Sequence, residues 1–186
     1  MTEDQRDFEP HVISLAGIGD SLDSLVQQQA AERRIDFQCE LFDAESPIHG
    51  PIFVIGDHER VLQILVNLST NSLQYTEEGG CVAVTAHRSG QWTEITVTDN
   101  GRGIARENLE LIFEPVAEAG GPPARRSGIG LGLATSRALA RRMGGDISVQ
   151  SELDAGSTFT IRLRSATAPT PTPTPSAIAE RGAVTR

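Results

Sequence analysis

The sequence predicts an α/β fold of the α+β kind, a two-layer sandwich in which a mixed β-sheet carries helices on one face. Three observations lead there. Apolar residues recur at helical spacing over three stretches, other stretches alternate apolar and polar residues like strands, and the two kinds follow one another without strict alternation. With 186 residues, the chain has the length for one domain with a proper core and a tail.

Taken in order, HVISLAGIGDSLDSLVQQQAAERR places Val12, Leu15, Ile18, Leu22, Leu25 and Val26 at helical spacing, so a first helix is expected over much of 11–33. IDFQCELF alternates as a strand, and PIFVIGD gives a second short strand ending at Gly56. HERVLQILVNLSTNSLQYT follows as a long helix, with Asp57 placed to cap it and Gly79-Gly80 after its end. CVAVTAHR and TEITVTDN are strands joined by the turn Ser89-Gly90-Gln91-Trp92 into a hairpin. A short helix at 105–112, a Gly/Pro-rich loop at 113–128, a helix at 130–143 and the strands GDISVQS and STFTIRL complete the order. Residues 1–10 form an N-terminal segment and 11–164 the folded domain. From Ser165 the alternating Pro and Thr predict a disordered tail or linker over 165–186, since that composition offers little to bury.

Composition narrows the function. Lysine and arginine number 16 against 25 acidic residues, a formal charge of −9, which argues against general affinity for nucleic acid or anionic lipid. An anionic ligand must therefore be held locally. No apolar run approaches the roughly 20 residues of a membrane span, and MTEDQRDFEP lacks the basic and apolar regions of a signal peptide, so a cytoplasmic location without membrane contact is expected. Cys39 and Cys81 lie in strand-like surroundings without metal-ligand spacing and are expected to be buried free thiols.

Three constellations carry candidate chemistry. On the long helix, Gln63, Asn67, Asn71 and Gln74 or Tyr75 recur every three or four residues as a polar stripe, flanked by Val61, Leu62, Ile64, Leu65, Val66 and Leu68. The stripe fits either a solvated face or a groove lining; in the second case the Asn71 carbonyl is a neutral, hard oxygen suited to Mg²⁺ beside phosphates. DNGRGI (99–104) fits a strand-ending turn, yet a carboxylate closing an apolar strand is partly desolvated and needs donors. Adenine N6 is one such donor, and a 6-oxo purine would oppose an acceptor to the Asp99 acceptor. SGIGLGLATSRA sets Gly128, Gly130 and Gly132 in front of a helix, where they serve either a turn or a site at which helix N–H groups meet an anion. The dinucleotide fingerprint and the P-loop both fail here. Arg125 and Arg126 precede these glycines, either solvated or in reach of phosphate.

The Asn-bearing helix, DNGRGI, IFEP and GIGLGLATSRALARRMGGDISVQSELDAGSTFTIRL, in this order and spacing, resemble the ATP-binding catalytic domain of two-component sensor histidine kinases over residues 8–164. That family is grouped with DNA gyrase, MutL-type mismatch-repair proteins and heat-shock chaperone ATPases, which share the Bergerat ATP-binding fold. The resemblance implies Asn71 as the Mg²⁺ ligand of the N box, with Asn67 one turn earlier. It implies Asp99 as the adenine-binding residue with Gly101, Gly103 and Ile104, and Phe113 as the mark of a mobile ATP lid. It further implies Gly128, Gly130 and Gly132, with the amides near Leu131 and Leu133, as the second glycine box at the triphosphate. Ser157 stands where the family usually has Thr near adenine, keeping the hydroxyl. The cofactors implied are ATP and Mg²⁺.

Two departures accompany the resemblance. Gln74 stands where many members carry Lys or Arg toward phosphate, a charge for which Arg125 or Arg126 would substitute. No phosphoacceptor motif His-Glu-x-Arg-x-Pro occurs; His58-Glu59 heads the N-box helix, and His11, His49 and His87 sit in unrelated contexts. The histidine is thus expected on a separate dimerisation domain, of the same full-length protein or of another, with a response regulator beyond it, and this chain on a trimmed portion of a longer protein. Asn67 replaces the Glu that activates water in hydrolytic members, which implies weak hydrolysis. The lid glycines Gly120, Gly121 and Gly128 would hinge the loop. A regulatory nucleotide-binding module and an anti-sigma-factor serine kinase of the same fold are the alternatives. Bulk at Gly130 or Gly132 is expected to remove ATP binding and leave the fold.

Overall fold

A computed structural model describes residues 11–42, 50–114 and 129–168. The chain runs β1 (His11–Ser14), α1 (Leu15–Arg33), β2 (Asp36–Glu40), β3 (Phe53–Gly56), α2 (His58–Tyr75), β4 (Cys81–Ser89), β5 (Trp92–Asp99), two 3-10 turns (Arg106–Asn108 and Leu111–Phe113), α3 (Ile129–Arg142), β6 (Asp146–Glu152) and β7 (Gly156–Ala166). The seven strands form one sheet in the order β1-β3-β7-β5-β4-β2, with β6 also on β7. It is mixed, as expected: β2 and β4 are parallel and the other pairs antiparallel.

Strand period and helix period meet in one core. Val82 and Val84 of β4, Ile95 and Val97 of β5, and Ile161 and Leu163 of β7 alternate with more exposed neighbours and bury one sheet face. Against it lie the helices: α1 on α2 and β2, α2 on α3, β4 and β5, and α3 on β6 and β7. In α1 the buried stripe is Leu15, Ile18, Leu22, Val26 and Ala30, three or four residues apart. Leu25 falls off that stripe and stays 54% exposed, against the expectation for it.

Local signals explain several boundaries. The Asp57 side chain accepts the Arg60 N–H at 3.0 Å, the expected cap of α2. Ser89 and Trp92 pair across the hairpin turn, where Gly90 has φ +62°.

Elsewhere the structure corrects the expectations. The first helix, expected over much of 11–33, is Leu15–Arg33, and Val12, counted in its spacing, belongs instead to the strand His11–Ser14: these residues pair with Phe53–Gly56, Ile13 is buried and Val12 is 46% exposed. The short helix at 105–112 is the pair of 3-10 turns. β7 runs to Ala166, beyond Ser165 where the tail was expected to begin, because Ser165 and Ala166 pair with β3. Cys81 is exposed, since it opens β4 on the face away from the helices, and Cys39 is only half-buried. Burial, with the carboxylates of Asp23, Asp20 and Glu40, pushes the Cys39 thiol up to about 12. Among the described residues no helix is long and apolar enough to cross a membrane.

Candidate functional site

At the end of β5, an apolar strand delivers a carboxylate into the interior. Asp99 is 6% exposed. The Ser72 hydroxyl donates to its Oδ2 at 2.9 Å, the Gly101 N–H donates to its Oδ1 at 3.0 Å, and the Ser157 N–H donates to it as well. Burial pushes this carboxyl above its ordinary range, and the three donors pull it back only in part. A carboxylate accepts about four hydrogen bonds, so three donors leave capacity for another.

Asp99 opens onto a cavity of about 550 Å³. Asn71, Ser72 and Tyr75 of α2 form one wall, Gly103 and Ile104 a second, and Leu133 of α3 reaches in beside Phe159 and Ser157 of β7. Asn71 and Tyr75, at i and i+4, are about one turn apart and stand on one helix face, which is why both enter the same cavity.

The loop after Asp99 is pinned on both sides. The Arg102 N–H donates to the Tyr75 carbonyl at 3.2 Å, and the Asp154 N–H donates to the Arg102 carbonyl at 2.8 Å. Gly103 lies between, at φ +67°, and a Cβ there would run into the Glu152 carbonyl, so only glycine fits. The Ile104 N–H donates to Ser151 Oγ at 2.8 Å, and that hydroxyl donates to the Gly156 carbonyl at 2.7 Å. Its one proton being used, Ser151 accepts from the Ser157 hydroxyl, 3.0 Å away.

The polar stripe of α2 divides. Asn71 enters the cavity, and its Nδ2 is buried without a hydrogen-bond partner among the described residues. Asn67 turns to α3 instead, donating from Nδ2 to Ser136 Oγ at 3.0 Å. Gln63 and Gln74 are exposed, and Gln74 is not part of the cavity wall. Gly130 and Gly132, expected at the helix entrance, lie inside the first turn of α3. A Cβ on Gly132 would collide with the Asn67 carboxamide, so this glycine permits the approach of α2 and α3. Bulk at Gly132 would therefore have to displace the Asn67 carboxamide from its bond to Ser136. Leu131 is also in this turn and Gly101 stands beside Asp99. The lid glycines Gly120 and Gly121, Arg125, Arg126 and Gly128 lie outside the described residues.

Sequence reasoning missed several residues of the site. Ser72 is one; with Ser69 and Thr76 it forms a buried hydroxyl row three and four residues apart, a signal that was present. Arg102, whose guanidinium lies 4.3 Å from the Tyr75 ring centre, is another, as are Asn108, Leu111, Leu153 and Asp154 at the cavity wall. Phe113 does not line the cavity, but its ring meets Phe159 edge-on at 6.5 Å.

Comparison with known proteins bears on the family and the fold. The model of the histidine kinase-, DNA gyrase B-, and HSP90-like ATPase family matches residues 56–167. Histidine protein kinase DivJ of Caulobacter vibrioides is 43% identical over 113 residues, 61% of this chain and 19% of DivJ. The catalytic domain of histidine kinase ThkA shares the fold, with TM-score 0.69 and 24% identity over 84% of this chain and 95% of that one. Full-length ShkA in complex with AMPPNP aligns with TM-score 0.71 and 27% identity, over 92% of this chain and 34% of that one. The chain thus spans a fifth or less of the length of DivJ and of the Escherichia coli sensor protein ArcB, of which it covers 16%. With more than half its length matched by the family model, the chain belongs to the histidine kinase-, DNA gyrase B- and HSP90-like ATPase family.

Proposed function

We propose that this chain is the cytoplasmic ATP-binding catalytic part of a sensor histidine kinase, presenting the γ-phosphate of Mg-ATP to a histidine on a dimerisation domain, which then passes it to a response regulator. The observation that carries the reading is Asp99, a buried carboxylate with three protein donors and unspent acceptor capacity at the cavity wall. Adenine N6 supplies the fourth donor; a guanine carbonyl there would set an acceptor against an acceptor, which sites of this kind reject strongly. Tyr75, Ile104, Leu133 and Phe159 give the base an apolar enclosure, and the Ser157 oxygen, its proton committed to Ser151, is left as an acceptor.

The triphosphate end points to α3. A helix leaves its first four N–H groups without internal partners, and in α3 these are residues 129–132, including Gly130, Leu131 and Gly132. The residues also fit Mg²⁺: Asn71 stands half-buried at the cavity wall, and its carboxamide oxygen is of the hard, neutral type this ion accepts. Bound there, Mg²⁺ would neutralise phosphate charge. Gly128 is assigned to the phosphates on the family pattern, and Arg125 or Arg126 to the charge that exposed Gln74 does not contribute. Asn67 cannot take a proton at neutral pH and is bonded to Ser136, so no base is provided for water and hydrolysis is slow. The chain's work is positioning: the base is fixed at Asp99 and the phosphates at α3, so that an outside imidazole nitrogen attacks the γ-phosphorus in line, the N–P bond forming as the bond to ADP breaks.

Incubating the protein with labelled Mg-ATP and a histidine-bearing dimerisation domain tests this. Acid-labile, alkali-stable label on that domain is expected. Tight ATP binding without label would indicate a regulatory module, and acid-stable label a serine kinase.

A further inference from the structure

Two short turns, Arg106–Asn108 and Leu111–Phe113, supply Asn108, Leu111 and Ile112 to the cavity wall, yet neither turn contains a buried residue. Ile112 and Phe113, partly buried, pack against the core. The Phe113 ring is held from two sides: Phe159 meets it edge-on, and the Arg137 guanidinium of α3 lies 4.7 Å from its centre. Arg137 itself does not line the cavity.

Arg137 is oriented by Asp146 at the start of β6. Its Nε donates to Asp146 Oδ1 at 2.8 Å and its Nη2 to Oδ2 at 3.3 Å. This two-point grip uses the edge of the planar guanidinium and leaves its face for the aromatic ring. Arg141, one helical turn on, grips the same carboxylate with Nε at 3.0 Å and Nη2 at 3.4 Å, and the Ile147 N–H adds a bond at 2.9 Å. The tie between α3 and β6 is thus made twice. The ring contact belongs to Arg137.

We infer that Arg137, locked by Asp146, is a positioning residue for the nucleotide site: it holds Phe113 against Phe159 and so fixes the wall formed by Leu111 and Ile112. This inference rests on the proposed ATP site and extends it to a residue outside the cavity. Lysine is a poor substitute, having neither the fork nor the flat face.

The test compares ATP affinity, melting temperature and backbone hydrogen exchange over residues 106–114 in wild type, Arg137→Ala, Arg137→Lys, Arg141→Ala, Phe113→Leu, Phe113→Tyr and the double variant Arg137→Ala/Phe113→Leu. Arg137→Ala should weaken ATP binding by roughly three- to tenfold, the range of a cation–aromatic contact, and speed exchange over 106–114. Arg137→Lys should not restore either property, and Phe113→Leu should match Arg137→Ala while Phe113→Tyr stays near wild type. Arg141→Ala, which spares the ring contact, should leave affinity within about twofold. The double variant should be no worse than either single one, since one contact is lost in all three. Additive losses, or an Arg137→Ala affinity equal to wild type, would overturn the positioning role. Absence of ATP binding in the wild-type protein would instead overturn the functional reading beneath it.

Discussion

Asp99 and Asp146 are both carboxylates at strand ends, and the protein treats them in opposite ways. Asp99, at the end of β5, is buried among neutral donors, a hydroxyl and two amides, and burial pushes its carboxyl up. Asp146, at the start of β6, is 47% exposed at its side chain, and the two arginines hold its carboxyl well below the usual range. The first lacks a countercharge and has acceptor capacity to spare. The second is saturated by two guanidiniums and an amide. A carboxylate left short of compensation is suited to take a ligand's donor, and a saturated one is suited to orient its neighbours.

The largest effect expected at either end of the comparison is at Asp99. Replacing it by Asn swaps one acceptor oxygen for a donor group in a site of donors, and ATP affinity should fall by about a hundredfold or more. Calorimetric titration with circular dichroism of the same sample measures this; unchanged affinity would remove the adenine assignment. Ser72→Ala comes next. It deletes one of the three donors and should raise the Asp99 carboxyl further, weakening ATP by roughly tenfold, the effect of one lost hydrogen bond to a charged group. A matching titration series, taken downward in pH from 8 until affinity falls, should show affinity in the variant declining at a higher pH, as the carboxylate protonates, than in wild type.

Much of this was legible in the sequence because it is local. A carboxylate ending the apolar run TEITVTD, the Asp57 cap and the Gly90 turn announce themselves within a few residues. β1 was not legible, because HVIS continues into a helical pattern and becomes a strand only by pairing with residues about forty positions on. The split of the α2 stripe was equally hidden: Asn67 and Asn71 share a face, and only the arrival of Ser136 and Gly132 on α3 assigns one to packing and the other to the cavity. The Phe113–Arg137–Asp146 cluster joins three segments, and no spacing rule connects them. Sequence periodicity registers which face a residue occupies; what stands opposite that face is a property of the tertiary structure.

The smallest expected effect, and the one that separates the two carboxylates most cleanly, is the pH dependence of Asp146→Asn. The folded protein holds this carboxyl below its unfolded value, so its contribution is fully present above the unfolded value near pH 4 and is lost as pH falls toward the folded value. At pH 7 the variant should be less stable by about 0.5–1 kcal/mol, in the range of partly exposed ion pairs. Below about pH 4 the gap should narrow, because the unfolded wild-type chain takes up a proton at this carboxyl while the folded protein, its arginines in place, still keeps it ionised. Asp99 has the opposite sign: its folded carboxyl is raised, so the ionised form opposes folding, and that penalty is relieved as pH falls through its folded value. Urea melts of wild type, Asp146→Asn and Asp99→Asn between pH 3 and 7 measure both slopes. Parallel slopes in the two variants would mean that the two carboxylates are held alike, and would break the contrast between a ligand-taking and a saturated carboxylate.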